Sequence, residues 1–310
     1  FINMKIPLRQ IEVFSAIAST ENVSRAAEGL SMSQSAASSA LVELERQFDC
    51  PLFDRIGKSL HLNSTGRGLL PQARDMLARA ADIEGYLAGG KLGPLAVGAT
   101  LTIGNYLATL VVAKYLHEHP GSKIQLQVAN TQQIVSRLIR HDLDIGLIEG
   151  EVNDPELLLE PWLDDALVVF CAPQHPLHRP TPPSSDELAA AAWIVREQGS
   201  GTRALFDRTL GATLPGLNIA LELEHTEAIK RAVESGLGIG CLSRLSLREA
   251  FRRGSLIELP TPQFDLNRRF YFARHRQRHI SPAVRQFLAL CHSTSGEAQG
   301  TDTLQLPFIS

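Results

Sequence analysis

The chain reads as an α/β protein with a smaller all-α, winged head at its N-terminus. Three observations carry that reading. Residues 26–38 hold two short helical patterns around a tight turn, residues 69–87 hold a heptad seam, and from residue 95 strand patterns alternate with helix patterns. Such alternation implies parallel strands joined by right-handed crossovers.

Leu8, Ile11, Phe14, Ile17 and Ala18 fall at helical spacing and give a first amphipathic helix. Ala26, Ala27 and Leu30 share one face of a second, where small side chains let another helix approach closely. Ser33 is placed to cap a third helix through one of its orphan backbone N–H groups. Gln34, Ser35, Ser38 and Ser39 project from the first turns of that helix, where a recognition helix meets base edges. Leu41, Leu44 and Phe48 supply its buried face.

Residues 51–55 and 58–62 follow as a short β-wing bearing Arg55, Lys58 and His61, with Arg67 just beyond. A wing beside a helix–turn–helix holds the phosphate backbone and sets register. Arg55, Lys58 and Arg25 are the expected phosphate contacts. Residues 1–70 carry seven basic and seven acidic side chains, so bulk charge does not supply affinity. Geometry and two copies acting together must do so.

Leu69, Ala73, Met76, Ala80, Ile83 and Leu87 are spaced 4, 3, 4, 3, 4. That is a heptad seam, and it predicts a dimerisation helix whose two copies set two recognition helices on a palindromic site. Pro71 lies near the start of this helix, where proline is tolerated. Gly89-Gly90-Lys91-Leu92-Gly93-Pro94 then reads as a hinge.

Beyond the hinge, strands are expected at 95–99, 124–128, 144–148, 167–172, 193–195, 220–223, 239–242 and 270–273, with helices between them. The last strand and the helix 283–291 return to the first set, so the expected form is two lobes joined by two crossings. A ligand would sit in the cleft beyond the strand ends. Thr100 and Thr102 follow the first strand, Gly199, Ser200, Gly201, Thr202 and Arg203 follow the Trp193 strand, and Thr226 opens a third helix. Hydroxyls, approachable glycine backbone and helix N-termini favour a small anion. Glu149, at another strand end, is either a ligand-orienting group or a structural acceptor, and its charge opposes a fully ionised anion.

The boundaries read as 4–64 for the head, 65–90 for the linker helix, and 91–293 for the larger domain. Its first lobe takes about 94–165 and 268–293, its second about 166–267. Residues 294–310 read as a disordered tail or tag, and Phe1-Ile2-Asn3 as a remnant before Met4. The 310 residues carry 30 basic and 33 acidic side chains and are 44% hydrophobic, enough for real cores. No apolar run is long enough to span a membrane and no signal peptide is evident, so a cytoplasmic location is expected. Four cysteines without a CxxC pair support neither metal nor disulfide, and no cofactor is expected.

The chain resembles the LysR-type transcriptional regulators from Leu8 to Cys291. The resemblance lies in Ala26-Ala27-x-x-Leu30-x-x-Ser33-Gln34-Ser35-Ala36-x-Ser38, Leu44-Glu45, Leu52-Phe53-x-Arg55 and Thr65-x-x-Gly68. Thr102-Ile103-Gly104-Asn105-Tyr106, residues 144–150, Glu160-Pro161-Trp162-Leu163, residues 196–203 and Glu227-Ala228-Ile229-Lys230 are most similar to the sulfite-responsive, YeiE-type branch. The resemblance implies a winged helix–turn–helix, a dimerising linker helix and a periplasmic-binding-protein-like (type 2) effector domain. It also implies double-stranded DNA with a pseudo-palindromic operator as a partner, and a homodimer that assembles to a homotetramer. The implied effector is sulfite or a related sulfur oxyanion, with a small carboxylate as the alternative. Many members carry a basic residue after the serine matching Ser38. Here Ser39 and Ala40 follow, which shifts weight to Gln34, Ser35 and the wing.

An enzyme or a solute-binding transport module is the rival class. Gly236-Leu237-Gly238-Ile239-Gly240 lacks the strand-then-helix order of a dinucleotide fingerprint, and no nucleophile–base set can be assembled from spacing.

Overall fold

The computed structural model describes residues 6–56, 59–89, 91–214, 216–296 and 298–304. The chain forms two compact units, one of Phe1–Gly93 with Arg278–Pro282, the other of Pro94–Gln277 with Ala283–Ser310.

In the first unit α1 (Leu8–Thr20), α2 (Val23–Gly29) and α3 (Gln34–Phe48) precede a hairpin of β1 (Phe53–Ile56) and β2 (Ser59–Leu62), and then α4 (Ser64–Leu87). Asn22, Ser33 and Asn63 cap α2, α3 and α4, each accepting a hydrogen bond from an early backbone N–H. The turn between α2 and α3 bends through Ser31 at φ 53°, and Arg9 braces it by donating to the Leu30 carbonyl at 3.0 Å. Ile11, Phe14, Ile17, Ala26, Ala27, Ala37, Leu41 and Leu44 make the core, closed by Leu52 and Phe53 from the wing and by Leu70 and Ala73 from α4. The wing seats tightly because position 66 is glycine; a Cβ there would lie 2.2 Å from the Leu52 carbonyl oxygen.

Three expectations are corrected here. Phe48 shares the buried face of α3 by spacing but is 49% exposed, since the last turn runs past the end of the core. Leu8 is likewise outside the core, at 44%. The seam also divides. Leu69 is half-buried against the head's own core and Ala73 lies within it, because α4 starts on the wing and packs on α1. Met76 and Ile83 are exposed, as are Leu87 and its neighbour Tyr86, and Ala80 is half-buried. Head and helix therefore form one unit rather than two bodies.

In the second unit β3 (Leu95–Ala99) leads into α5 (Leu101–Ile103), a π-helical segment (Gly104–Ala108) and α6 (Thr109–Glu118). β4 (Ile124–Val128), α7 (Thr131–Ile139) and β5 (Ile145–Glu149) complete the first set, with β4 and β5 each parallel to β3. β6 (Leu157–Cys171) is a single long strand that belongs to both lobes: its first part pairs with the returning strand near the C-terminus, and its second part pairs with lobe II. Lobe II then runs through α8 (Ser185–Ala190), β7 (Trp193–Arg196), α9 (Gly201–Phe206), a second π-helical segment (Asp207–Gly211) and β8 (Ile219–Leu223). It continues with α10 (Thr226–Glu234), β9 (Ile239–Ser243), α11 (Arg244–Arg253) and β10 (Ile257–Leu259). β11 (Asn267–His275) crosses back, pairing antiparallel with β5 and β6, and α12 (Pro282–Ser295) follows.

The sequence expectation covered only the second half of β6. Pro161 and the charged Glu160, Asp164 and Asp165 interrupt its apolar pattern, and Pro161 sits where the β6–β11 register shifts, at Phe270/Tyr271. The expected disordered tail of 294–310 is also corrected in part, residues 297 and 305–310 lying outside the described residues. Residues 298–304 are ordered against the lobe crossing, with Thr301 and Leu304 each 2% exposed. Cys171 and Cys241 are buried, and burial pushes their thiols up to about 11 and about 12, so both stay protonated and unreactive. Among the described residues no helix is long and apolar enough to cross a membrane.

Candidate nucleic-acid interface and ligand cleft

On the head, Gln34, Ser35 and Ser39 are exposed on the first turns of α3, and Ser38 is half-buried. The Ser35 hydroxyl lies 3.0 Å from that of Ser33, so the capping residue also orients its neighbour. Arg25 on α2 and Arg55 on β1 are exposed. Lys58 lies outside the described residues. Arg67 is exposed and donates to the Leu62 carbonyl. His61 pairs with Glu21 at 3.2 Å. The surface presents amide and hydroxyl groups on a helix start, flanked by single arginines. Such a surface can read base edges and grip phosphates without bulk charge.

In the second unit most of the residues expected to line a cleft are buried, and some of them meet. Thr100, Thr102, Glu149, Ser200, Thr202 and Thr226 are each 2% or 3% exposed. Three of them, Thr100, Thr102 and Thr202, meet at the Glu149 carboxylate. It accepts from the Thr102 backbone N–H at 2.8 Å and from the Thr202 hydroxyl at 3.2 Å. Thr202 belongs to lobe II and Glu149 to lobe I, so this hydrogen bond joins the lobes. The loop before α9 makes the approach possible. Gly199 has φ 85°, and a Cβ at Gly201 would stand 2.2 Å from the Glu149 carbonyl oxygen. The Gly201 N–H also donates to Thr131 Oγ1 at 3.1 Å.

Spacing did not find the cation of this site. Arg268, at the start of β11, donates from Nη1 to Glu149 Oε2 at 2.8 Å and to Thr202 Oγ1 at 3.0 Å. Its Nε donates to Asp165 Oδ2 at 2.7 Å. All three charged side chains are at most 2% exposed. Burial works against the Glu149 charge, but Arg268, Arg196 and hydrogen bonds from Thr100 and Thr102 outweigh it and hold its pKa below the ordinary carboxylate value. Burial likewise opposes the Arg268 charge, and Glu149 and Asp165 overcome it. Arg268 Nη2 and Thr226 Oγ1 are buried donors with no hydrogen-bond partner among the described residues. The sign in the sequence was a charged residue beside an apolar strand, Arg268 before Phe270 and Asp165 before Leu167.

Arg203 departs from its expected role. Its Nε donates to Asp207 and its Nη1 to the Arg196 carbonyl and to Glu222, so these two nitrogens are engaged within lobe II. A second contact between the lobes lies nearby. Tyr106 donates to Glu227 at 2.7 Å, and Lys230 donates to Glu227 at 2.8 Å and to the Ser246 carbonyl at 3.0 Å.

The chain matches two family descriptions. Residues 8–67 match the bacterial regulatory helix-turn-helix protein of the lysR family, and residues 88–295 match the LysR substrate binding domain. It is 44% identical over 288 residues to the uncharacterized HTH-type transcriptional regulator YeiE of Escherichia coli K12, covering 93% of this chain and 98% of that one. It is similar to a full-length, singly substituted OxyR from Pseudomonas aeruginosa, with a TM-score of 0.73 at 23% identity and coverage of 94% and 95%. It is also similar to full-length CbnR complexed with its target DNA, with a TM-score of 0.56 at 18% identity and coverage of 93% and 99%. The last two likenesses concern the fold.

Proposed function

This chain belongs to the LysR family of transcriptional regulators, whose members are not enzymes, and on that premise we propose how it reads DNA and what it senses. The head reads an operator through Gln34, Ser35, Ser38 and Ser39, while Arg25, Arg55 and Lys58 hold phosphates. Two heads act together through α4, whose exposed Met76, Ile83 and Leu87 continue the heptad seam with Ala80. A tetramer of two such dimers follows from the family architecture.

We further propose that the cleft takes a small oxyanion, sulfite first. One observation supports this most. The Thr102 N–H, the Thr202 hydroxyl and the Arg268 guanidinium already grip a carboxylate, that of Glu149, in the geometry an oxyanion would use. The unpartnered Arg268 Nη2 and Thr226 Oγ1 offer two further donors. Glu149, Asp165 and Arg268 together carry one net negative charge, so a dianion is disfavoured. Hydrogensulfite suits the site better, because it keeps a proton that Glu149 can accept. A ligand shifts the lobe equilibrium only through its differential affinity for the two arrangements. Contacts to both lobes supply that difference.

Calorimetry of sulfite against the natural chain, Thr102→Ala and Thr202→Ala tests the site, and a gel shift on DNA upstream of a divergent neighbouring gene tests the head. The expected result is binding by the natural chain and weakened binding by both variants. Undiminished binding in both would place the ligand elsewhere. No binding by the natural chain would remove sulfite.

A further inference from the structure

The segment after α12 is built into the lobe crossing. The Asp164 N–H donates to the Gln299 carbonyl at 2.9 Å, and the Thr301 N–H donates to the Asp164 carbonyl at 2.8 Å. Gly300 thereby bridges β6 in parallel, and a Cβ there would lie 3.2 Å from that same Asp164 oxygen. The Leu304 carbonyl accepts from Arg248 of α11 at 2.8 Å, so one short strap is bonded to the crossing strand and to lobe II. It lies beyond residue 295, where the family match ends.

Its one buried hydroxyl reaches the cleft chemistry. Thr301 Oγ1 donates to Asp165 Oδ1 at 2.7 Å, and Ser243 Oγ donates to the same oxygen at 2.8 Å. Asp165 Oδ2 is left for Arg268 Nε. A guanidinium facing a bare carboxylate prefers the bidentate fork, with a second N–H on the second oxygen. Here that oxygen is already filled by two hydroxyls, so Arg268 holds Asp165 by Nε alone and extends Nη1 to Glu149 and Thr202.

We infer that Thr301 is a positioning residue for the cleft: by occupying Asp165 Oδ1 it keeps Arg268 turned toward the ligand. The inference rests on the reading of the cleft as an oxyanion site. Without the Thr301 hydroxyl, Ser243 alone holds Asp165 Oδ1, and the acceptor site that Thr301 vacates draws the unpartnered Arg268 Nη2 toward Asp165 and away from Glu149 and Thr202. The strap is then a working part of the sensor rather than a passive tail.

The test uses the full chain, with sulfite as probe, on the natural protein, Thr301→Ala and Thr301→Ser. The net worth of one typical hydrogen bond sets the scale, so Thr301→Ala should bind about three- to tenfold more weakly. Thr301→Ser should restore the natural affinity. Equal affinity in Thr301→Ala overturns the inference, and so does failure of Thr301→Ser to rescue. If the natural chain binds no sulfite, the ligand reading falls separately. A crystal structure of Thr301→Ala then decides: a guanidinium forked on Asp165 supports the inference, and an unmoved Arg268 overturns it.

Discussion

Replacing Glu149 by Gln should move stability and anion affinity in opposite directions. The substitution keeps the shape of the side chain and one acceptor oxygen but removes the charge. Arg268 loses a partner at 2.8 Å and keeps Asp165 at 2.7 Å. Breaking a buried pair outright costs about 3–5 kcal/mol, and the surviving Asp165 partner reduces that to about 2–3 kcal/mol here. The anion term has the other sign. Each negative charge of an anion about 5 Å from the Glu149 carboxylate feels roughly 3 kcal/mol of repulsion at an effective dielectric of about 20. Removing the charge should therefore tighten binding of a fully ionised anion such as sulfate by tenfold or more, while hydrogensulfite gains less because it loses its proton acceptor. Urea unfolding gives the stability change and calorimetry with sulfate and sulfite gives the affinities. The pH dependence is a further check. The Glu149 pKa is lowered in the folded chain. Its contribution is present above the unfolded carboxylate value and is lost as pH falls through the lowered folded value. The natural chain should lose this stability on acidification below about pH 4.5, and Glu149→Gln should lack that component. A variant as stable as the natural chain, or one with weaker sulfate binding, would refute the reasoning.

Other outcomes follow from the same contacts. Arg55→Ala should weaken binding to all DNA sequences alike and flatten the salt dependence, whereas Gln34→Ala should relax preference at one base pair by roughly 1–3 kcal/mol; binding titrations at several salt concentrations separate the two. Ile83→Glu puts a charge on an apolar face that is 62% exposed in the single chain, so sedimentation should show smaller species while the head stays folded. Gly201→Ala should lower the thermal midpoint and ligand affinity together, since its Cβ would stand 2.2 Å from the Glu149 carbonyl oxygen and must push the lobes apart.

Much of this molecule is legible residue by residue. The cap at Ser33, the apolar faces of α1 and α3, and strands such as Leu95–Ala99 and Ile124–Val128 are local facts, set by side-chain period and by the hydrogen-bonding needs of helix ends. So is the placing of hydroxyls and glycines at Thr100–Thr102 and Gly199–Thr202, because strand ends and helix starts follow from the same patterns. What periodicity could not say is which of two surfaces a periodic face meets. The heptad from Leu69 to Leu87 looks uniform, yet Ala73 is buried in its own head and Leu87 is 77% exposed. Nor could it reveal Arg268, Asp165 and Thr301 as neighbours. They are far apart in the chain and meet only because β6 and β11 cross between lobes side by side and residues 298–304 fold back on them. A charge inside an apolar strand is unfavourable until its partner arrives, and that partner is supplied by tertiary structure alone.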